Sequence, residues 1–171
     1  ILGYEQDMRQ TAVLELVQPV SNDRILDVGC GNARDILEFT KECQYVYGID
    51  MSDGMIKEGK KGIERQNARS VSLIVGSATH LPFADGYFDK VSCSEAIEHI
   101  PEWQDAIKEM SRCLRDGGRL VITTPNRRSI YRITNAIRNM IMKLLGKSTH
   151  PYDVWKTQQE LIRILQENNI K

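Results

Sequence analysis

Asp27-Val-Gly-Cys-Gly-Asn-Ala33 begins in the last two residues of the β-rich run Arg24 to Val28 and leads into a helical pattern, and Asp50 closes the next β-rich run. A Gly-x-Gly turn after a strand brings backbone close to a ligand, and the helix that follows presents free N–H groups and a partial positive charge there. An acid at the end of the second strand is placed to accept two hydrogen bonds from a ribose diol, because adjacent strand ends in this topology line one crevice. Glycine turn plus acid specifies a nucleoside-containing cofactor and nothing finer.

Around this turn, short β-rich runs alternate with helical patterns, the signature of βαβ units and a parallel sheet covered on both faces. The predicted strands are Arg24 to Val28, Tyr45 to Asp50, Ser70 to Gly76, Phe88 to Ser94 and Arg119 to Thr124. A helix over Tyr4 to Val17 is expected from the spacing of Met8, Ala12, Leu16, Val13 and Val17. Further helices are expected over Asn32 to Glu42, Ser52 to Gln66, Pro101 to Leu114, about Ser129 to Leu145, and Thr157 to Glu167. Ser52 reads as an N-cap, Pro101 as a first-turn residue, Asp116-Gly-Gly118 as the break before strand five, and Thr157-Gln-Gln-Glu160 as a capping box.

At 171 residues and 41% hydrophobic, the chain supports one compact core, so residues 1–171 read as a single domain. Lysine plus arginine balance aspartate plus glutamate at 23 each, so no global field steers the chain to nucleic acid and none is expected as a partner. Four cysteines without a CxxC pair fit a reduced, cytoplasmic protein. The longest helix-like apolar stretch, Ile130 to Leu145, is interrupted by Arg132, Arg138 and Lys143, so no membrane span is expected. The final Asn168-Asn-Ile-Lys171 reads as the approach to a further strand, and the chain as carboxyl-terminally incomplete.

Details of the turn separate two cofactors. Dinucleotide sites favour G-x-G-x-x-G, and here the third glycine position is Arg34. Asp27, two residues before Gly29, would repel a pyrophosphate and suit the cationic amino group of a methionine moiety. With Leu26-Asp-Val-Gly-Cys-Gly31, Gly48-Ile-Asp-Met-Ser52, Gly76-Ser-Ala-Thr-His-Leu-Pro-Phe83 with Phe88-Asp89, and Leu114-Arg-Asp-Gly-Gly-Arg-Leu120, the chain resembles a class I S-adenosylmethionine-dependent methyltransferase over almost its whole length.

The resemblance implies that Asp27, Gly29 and Gly31 hold the methionine end and Asp50 the ribose. It places Met51 on the adenine, the Ala78 N–H at the adenine ring, and Ser94 near the methionine group. Ser77 stands where the family often has an acid, leaving its role at the adenine amino group open. The fold implied is doubly wound, Rossmann-like α/β with a mostly parallel sheet in the order 3-2-1-4-5. The usual final antiparallel pair is absent from the sequence, so an unprotected edge is expected at strand five.

For an oxygen acceptor a general base helps methyl transfer, and Glu95-Ala-Ile-Glu98-His99 lies after strand four, at the sheet's carboxyl edge. The segment is similar to the E-x-x-E-H stretch of ubiquinone-biosynthesis O-methyltransferases and small-RNA 2′-O-methyltransferases, where those residues are linked with a divalent metal. No metal is assigned here; Glu95, Glu98 and His99 are the set that would hold one, and His99 is the candidate base or substrate contact.

From Gly117 through Tyr152 there are seven basic residues and no acidic one. Ile130, Ile133, Ile137, Ile141 and Leu144 recur at helical spacing there, so the stretch at about 126–155 reads as a helical lid. The alternative is that 128–147 rests on an anionic membrane surface. The layout is nearest to the ubiquinone-type O-methyltransferases, which implies Tyr131, His150, Tyr152 and Trp155 as acceptor contacts. The expected activity is methyl transfer to a small-molecule acceptor at oxygen, lipophilic or glycan-linked. The rivals are a nicotinamide-dependent oxidoreductase and a non-catalytic cofactor-fold module that binds membrane or a partner through its basic helix; oligomeric state is left open.

Overall fold

The computed structural model describes residues 2–43, 45–124 and 157–168. The expected lid at about 126–155, its basic face at 128–147, and Tyr131, His150, Tyr152 and Trp155 lie outside the described residues. Helix α1 (Leu2–Val17) precedes β1 (Arg24–Val28), α2 (Arg34–Phe39), β2 (Tyr45–Asp50), α3 (Asp53–Arg65), β3 (Val71–Val75) and β4 (Phe88–Ser94). A 3₁₀ turn (Ile97–His99), α4 (Trp103–Cys113), β5 (Leu114–Thr123) and α5 (Gln158–Glu167) follow.

All pairings in the sheet are parallel, as the alternating pattern implies, and the order is β3-β2-β1-β4-β5, as the resemblance implies. Strand period two sends neighbours to opposite faces. Ile25 and Val46 join Val13, Val17, Ile36, Phe39 and Ile56 under α1 to α3. Leu26, Val28, Ile49, Val91 and Cys93 join Ala106, Ile107 and Met110 of α4, with Leu161, Ile164 and Leu165 of α5 packed on that side. Asp27 shares the face of Ile25, which turns its carboxyl toward α2 rather than α4.

Among the described residues β5 is an edge strand, as expected. It begins at Leu114, not Arg119. Phe88 pairs with Leu114 and Lys90 with Arg119, so two steps along β4 match five along β5 and Asp116-Gly-Gly118 bulges out within the strand. Gly117 takes φ +71° there. Helix α4 therefore ends three residues before Asp116, and Pro101 precedes its N-cap Glu102 instead of entering the first turn. Helix α2 is also shorter than the expected Asn32 to Glu42.

Ser52 caps α3 by accepting from Met55 N, and Thr157 and Glu160 form the reciprocal capping box of α5. Among the described side chains of α1, Val13 and Val17 are fully buried, while Met8 and Leu16 are exposed. Gln10 ties α1 to α2 by donating to Arg34 O at 3.0 Å.

Candidate functional site

The carboxyl ends of β1, β2 and β4 open onto a cavity of about 620 Å³. Gly29, Asp50, Met51 and Ala78 of the expected site line it, together with Ile49, Ser52, Met55 and Gly76. Glu95, Ala96, His99 and Ile100, from the segment after β4, complete the lining. The lining is mostly apolar with few polar groups, as small-molecule sites are.

Gly29 is required twice over. Its φ is +73°, and a Cβ there would lie 2.3 Å from the Ala96 Cβ, so any side chain would push apart the turn and the segment after β4. Gly31 at φ +52° and Ala33 at φ +64° continue the turn. Asp50 organises it: Gly31 N donates to Oδ2 and Ser52 N to Oδ1, each at 2.8 Å. Each carboxylate oxygen accepts two or more hydrogen bonds, so Asp50 keeps capacity for a diol while it holds both loops.

Asp27 does not line the cavity; it lies beneath the turn, 3% exposed. Its Oδ1 is buried without a hydrogen-bond partner, and so is Oγ of Ser92, its neighbour across the β1–β4 pairing. Burial, followed by the charge of Asp35, pushes the Asp27 carboxyl well above the usual range, more than the nearby Ser92 hydroxyl lowers it. A cationic group held at the turn would favour the ionised form of this carboxyl through its charge. An orphaned buried acid, a ribose-competent acid and an apolar wall of Ile49, Met51 and Met55 together fit an adenosine bearing an ammonium-carrying tail.

Ser77 does not reach the cavity; its hydroxyl pairs with Thr79 Oγ1 at 2.8 Å and shapes the loop that carries Ala78. Ser94 pairs with Thr123 Oγ1 at 3.1 Å and lines a second, smaller cavity of about 110 Å³ with Arg9, Gln10, Arg34 and Asp35. Glu95 borders both cavities.

The three residues of the Glu95–His99 stretch face different ways. Glu95, at φ +50°, pairs with Arg9 of α1 at 3.1 Å. Glu98 is buried and accepts from the Thr124 hydroxyl at 3.2 Å, with burial raising its carboxyl. His99 is exposed at the rim of the large cavity. Among the described residues no three His, Cys, Asp or Glu side chains form a metal-binding group.

Sequence reasoning did not find Met55, although the Ser52 cap that places it one turn beyond Met51 was legible. Arg9 carried no signal, because its contact with Glu95 spans the chain between them.

A family model described as "Methyltransferase domain" matches residues 26–122. The demethylmenaquinone methyltransferase of Listeria welshimeri is 32% identical over 145 residues, covering 81% of this chain and 61% of that protein. The demethylmenaquinone methyltransferase of Corynebacterium glutamicum is 29% identical over 160 residues, covering 85% and 66%. The chain thus spans about three fifths of the length of the curated relatives it matches. The YcgJ protein from Bacillus subtilis superposes with a TM-score of 0.82 at 19% identity, over 95% of this chain and 68% of that one, a likeness of fold.

Proposed function

The chain belongs to the class I S-adenosylmethionine-dependent methyltransferases, and from that premise we propose that it methylates a small lipophilic acceptor bearing an ionisable ring hydroxyl. The observation that carries the reading is the large cavity itself, which Gly29, Asp50, Met51 and Ala78 line together with His99 and Ile100. The names of the curated relatives support a ring acceptor. Removing the hydroxyl proton creates a nucleophile at oxygen and at the adjacent ring carbon, so one base serves either methylation site.

When bound, S-adenosylmethionine supplies an electrophilic methyl on a sulfonium, displaced in line. Asp50 binds the ribose hydroxyls while its backbone hydrogen bonds fix the Gly29–Gly31 turn. Asp27, beneath the turn, would favour the ammonium end through its charge, Met51 and Met55 would pack on the adenine, and the Ala78 N–H would orient the ring. His99 at the rim accepts the acceptor's hydroxyl proton at a ring nitrogen, and Ile100 and Ala96 exclude water beside it. Glu95 and Glu98 act through their partners: the Arg9 pair holds α1 against the strand end, and the Thr124 bond holds the 3₁₀ turn that bears His99.

The test is transfer of labelled methyl from S-adenosylmethionine to a naphthoquinol, a catechol and a saccharide. The ring hydroxyls should accept and the saccharide should not. His99→Ala should lower kcat by about 10²–10⁴ with S-adenosylhomocysteine affinity nearly unchanged. Transfer to the saccharide alone, or an undiminished kcat in His99→Ala, would overturn the reading.

A further inference from the structure

The loop between β3 and β4, residues 76–87, contains no helix or strand, yet it carries Ala78 into the cavity wall. Its start is fixed where Gly76 N donates to Asp50 O at 3.0 Å. Within the short stretch after it, Thr79 N donates to Ser77 Oγ and His80 N to Ser77 O. The next anchor to the body of the protein is α4. Leu81 N donates to Glu109 Oε2 at 2.8 Å, and Arg112 donates to Leu81 O at 3.0 Å and to Phe83 O at 2.8 Å. Arg112 also meets Asp85 Oδ1 at 2.7 Å, and its own carbonyl accepts from Gly86 N at 2.9 Å.

Glu109 braces the guanidinium by a two-point contact, Nε to Oε1 and Nη2 to Oε2, both 2.8 Å. That geometry is the strong, directional form of a carboxylate–guanidinium pair, and lysine does not reproduce it. The side chains are only 32% and 23% exposed, which shields the pair from solvent screening. One arginine on the flank of α4 therefore fixes two carbonyls, a carboxylate and the far end of a loop whose near end forms the cavity wall.

We propose that Arg112, braced by Glu109, is a positioning residue that sets the cofactor's adenine wall by holding the 81–86 end of the loop that carries Ala78. It touches neither cofactor nor acceptor. The proposal rests on the reading of Ala78 as an adenine contact. A wall held at Leu81 keeps the Ala78 N–H preorganised, so loosening it weakens binding of the adenosine portion and leaves the methionine end's contribution alone.

The experiment is calorimetry on the whole chain with S-adenosylhomocysteine and with adenosine, at a temperature where each variant is folded by circular dichroism. The variants are Arg112→Lys and Glu109→Gln, with Ile107→Ala as a control that destabilises the same helix from its core side. Arg112→Lys should weaken both ligands about tenfold, so that their affinity ratio stays that of the wild type. Glu109→Gln, which keeps an acceptor for Leu81 N, should fall between wild type and Arg112→Lys. Ile107→Ala should lower Tm without moving either affinity. Wild-type affinity for both ligands in Arg112→Lys, or an equal loss in Ile107→Ala, would overturn the positioning role. Failure of the wild type to bind S-adenosylhomocysteine would instead sink the cofactor reading on which it rests.

Discussion

Asp27, one residue before the end of β1, and Asp50, which ends β2, are the same residue type, and their surroundings give them different work. Asp50 is met by two backbone N–H groups and borders the cavity; Asp27 is sealed beneath the turn with an oxygen left without a partner. Burial holds the Asp27 proton well above the ordinary carboxylate range. A ligand ammonium favours the ionised form, so binding releases that proton. Affinity for S-adenosylhomocysteine should therefore rise with pH from the ordinary carboxylate range up to the raised value, and Asp27→Asn should bind more weakly with that slope removed. Without ligand the sign reverses: the folded chain holds the proton more tightly than the unfolded one. The stability this contributes is fully present at low pH and is lost as pH rises toward the raised value. A melting series of wild type against Asp27→Asn checks it, and identical pH profiles would refute the assignment. Gly29, Asp50, Met51 and Ala78, named from the sequence, line the cavity, while Met55 and the conformations of the site were not legible there. Nothing in Glu95 announces φ +50°, and the tightness of Gly29 depends on Ala96, which arrives from a different strand end.

At the scale of elements, α4 is held by Trp103, Ala106, Ile107, Met110 and Cys113, a buried stripe at helical spacing. Ile107→Ala should cost about 2–5 kcal/mol of stability, read from chemical denaturation, and a loss under about 1 kcal/mol would mean that the stripe is not core. Strands β1, β2 and β4 were legible to the residue, since each is a β-rich run bounded by turn residues. The start of β5 was not. Asp116-Gly-Gly118 has the composition of a break, and only the pairing of Leu114 with Phe88 turns it into a bulge. Helix caps that use a side chain, Ser52 and Thr157, could be read directly. The short α2 has no such cap, with Ala33 at its start, and its length is set by packing of Ile36 and Phe39.

For the molecule as a whole, the βαβ alternation was enough to predict a parallel sheet covered on both faces, because parallel strands need crossovers that lie on the faces, while the strand order followed from the family resemblance. The contacts that tie the layers together, Arg9 to Glu95 and Arg112 to Leu81, join distant stretches and leave no periodic trace. The four cysteines are free and all buried, with burial pushing Cys43 and Cys113 up to about 11 and Cys30 and Cys93 higher still. Native thiols should accordingly resist alkylation near neutral pH and react only on unfolding; rapid native labelling of any of them would contradict this packing. No helix among the described residues is long and apolar enough to cross a membrane. The claim on which the rest depends is that the Gly29 turn and Asp50 bind an adenosine cofactor with a cationic tail and not a dinucleotide. Calorimetry of the whole chain with S-adenosylhomocysteine and with NAD tests it most directly, with Asp50→Ala alongside. One site for S-adenosylhomocysteine, no heat with NAD, and at least about a tenfold loss in Asp50→Ala are predicted, the last from losing hydrogen bonds to a charged group. NAD binding, or an Asp50→Ala affinity equal to wild type, would contradict it.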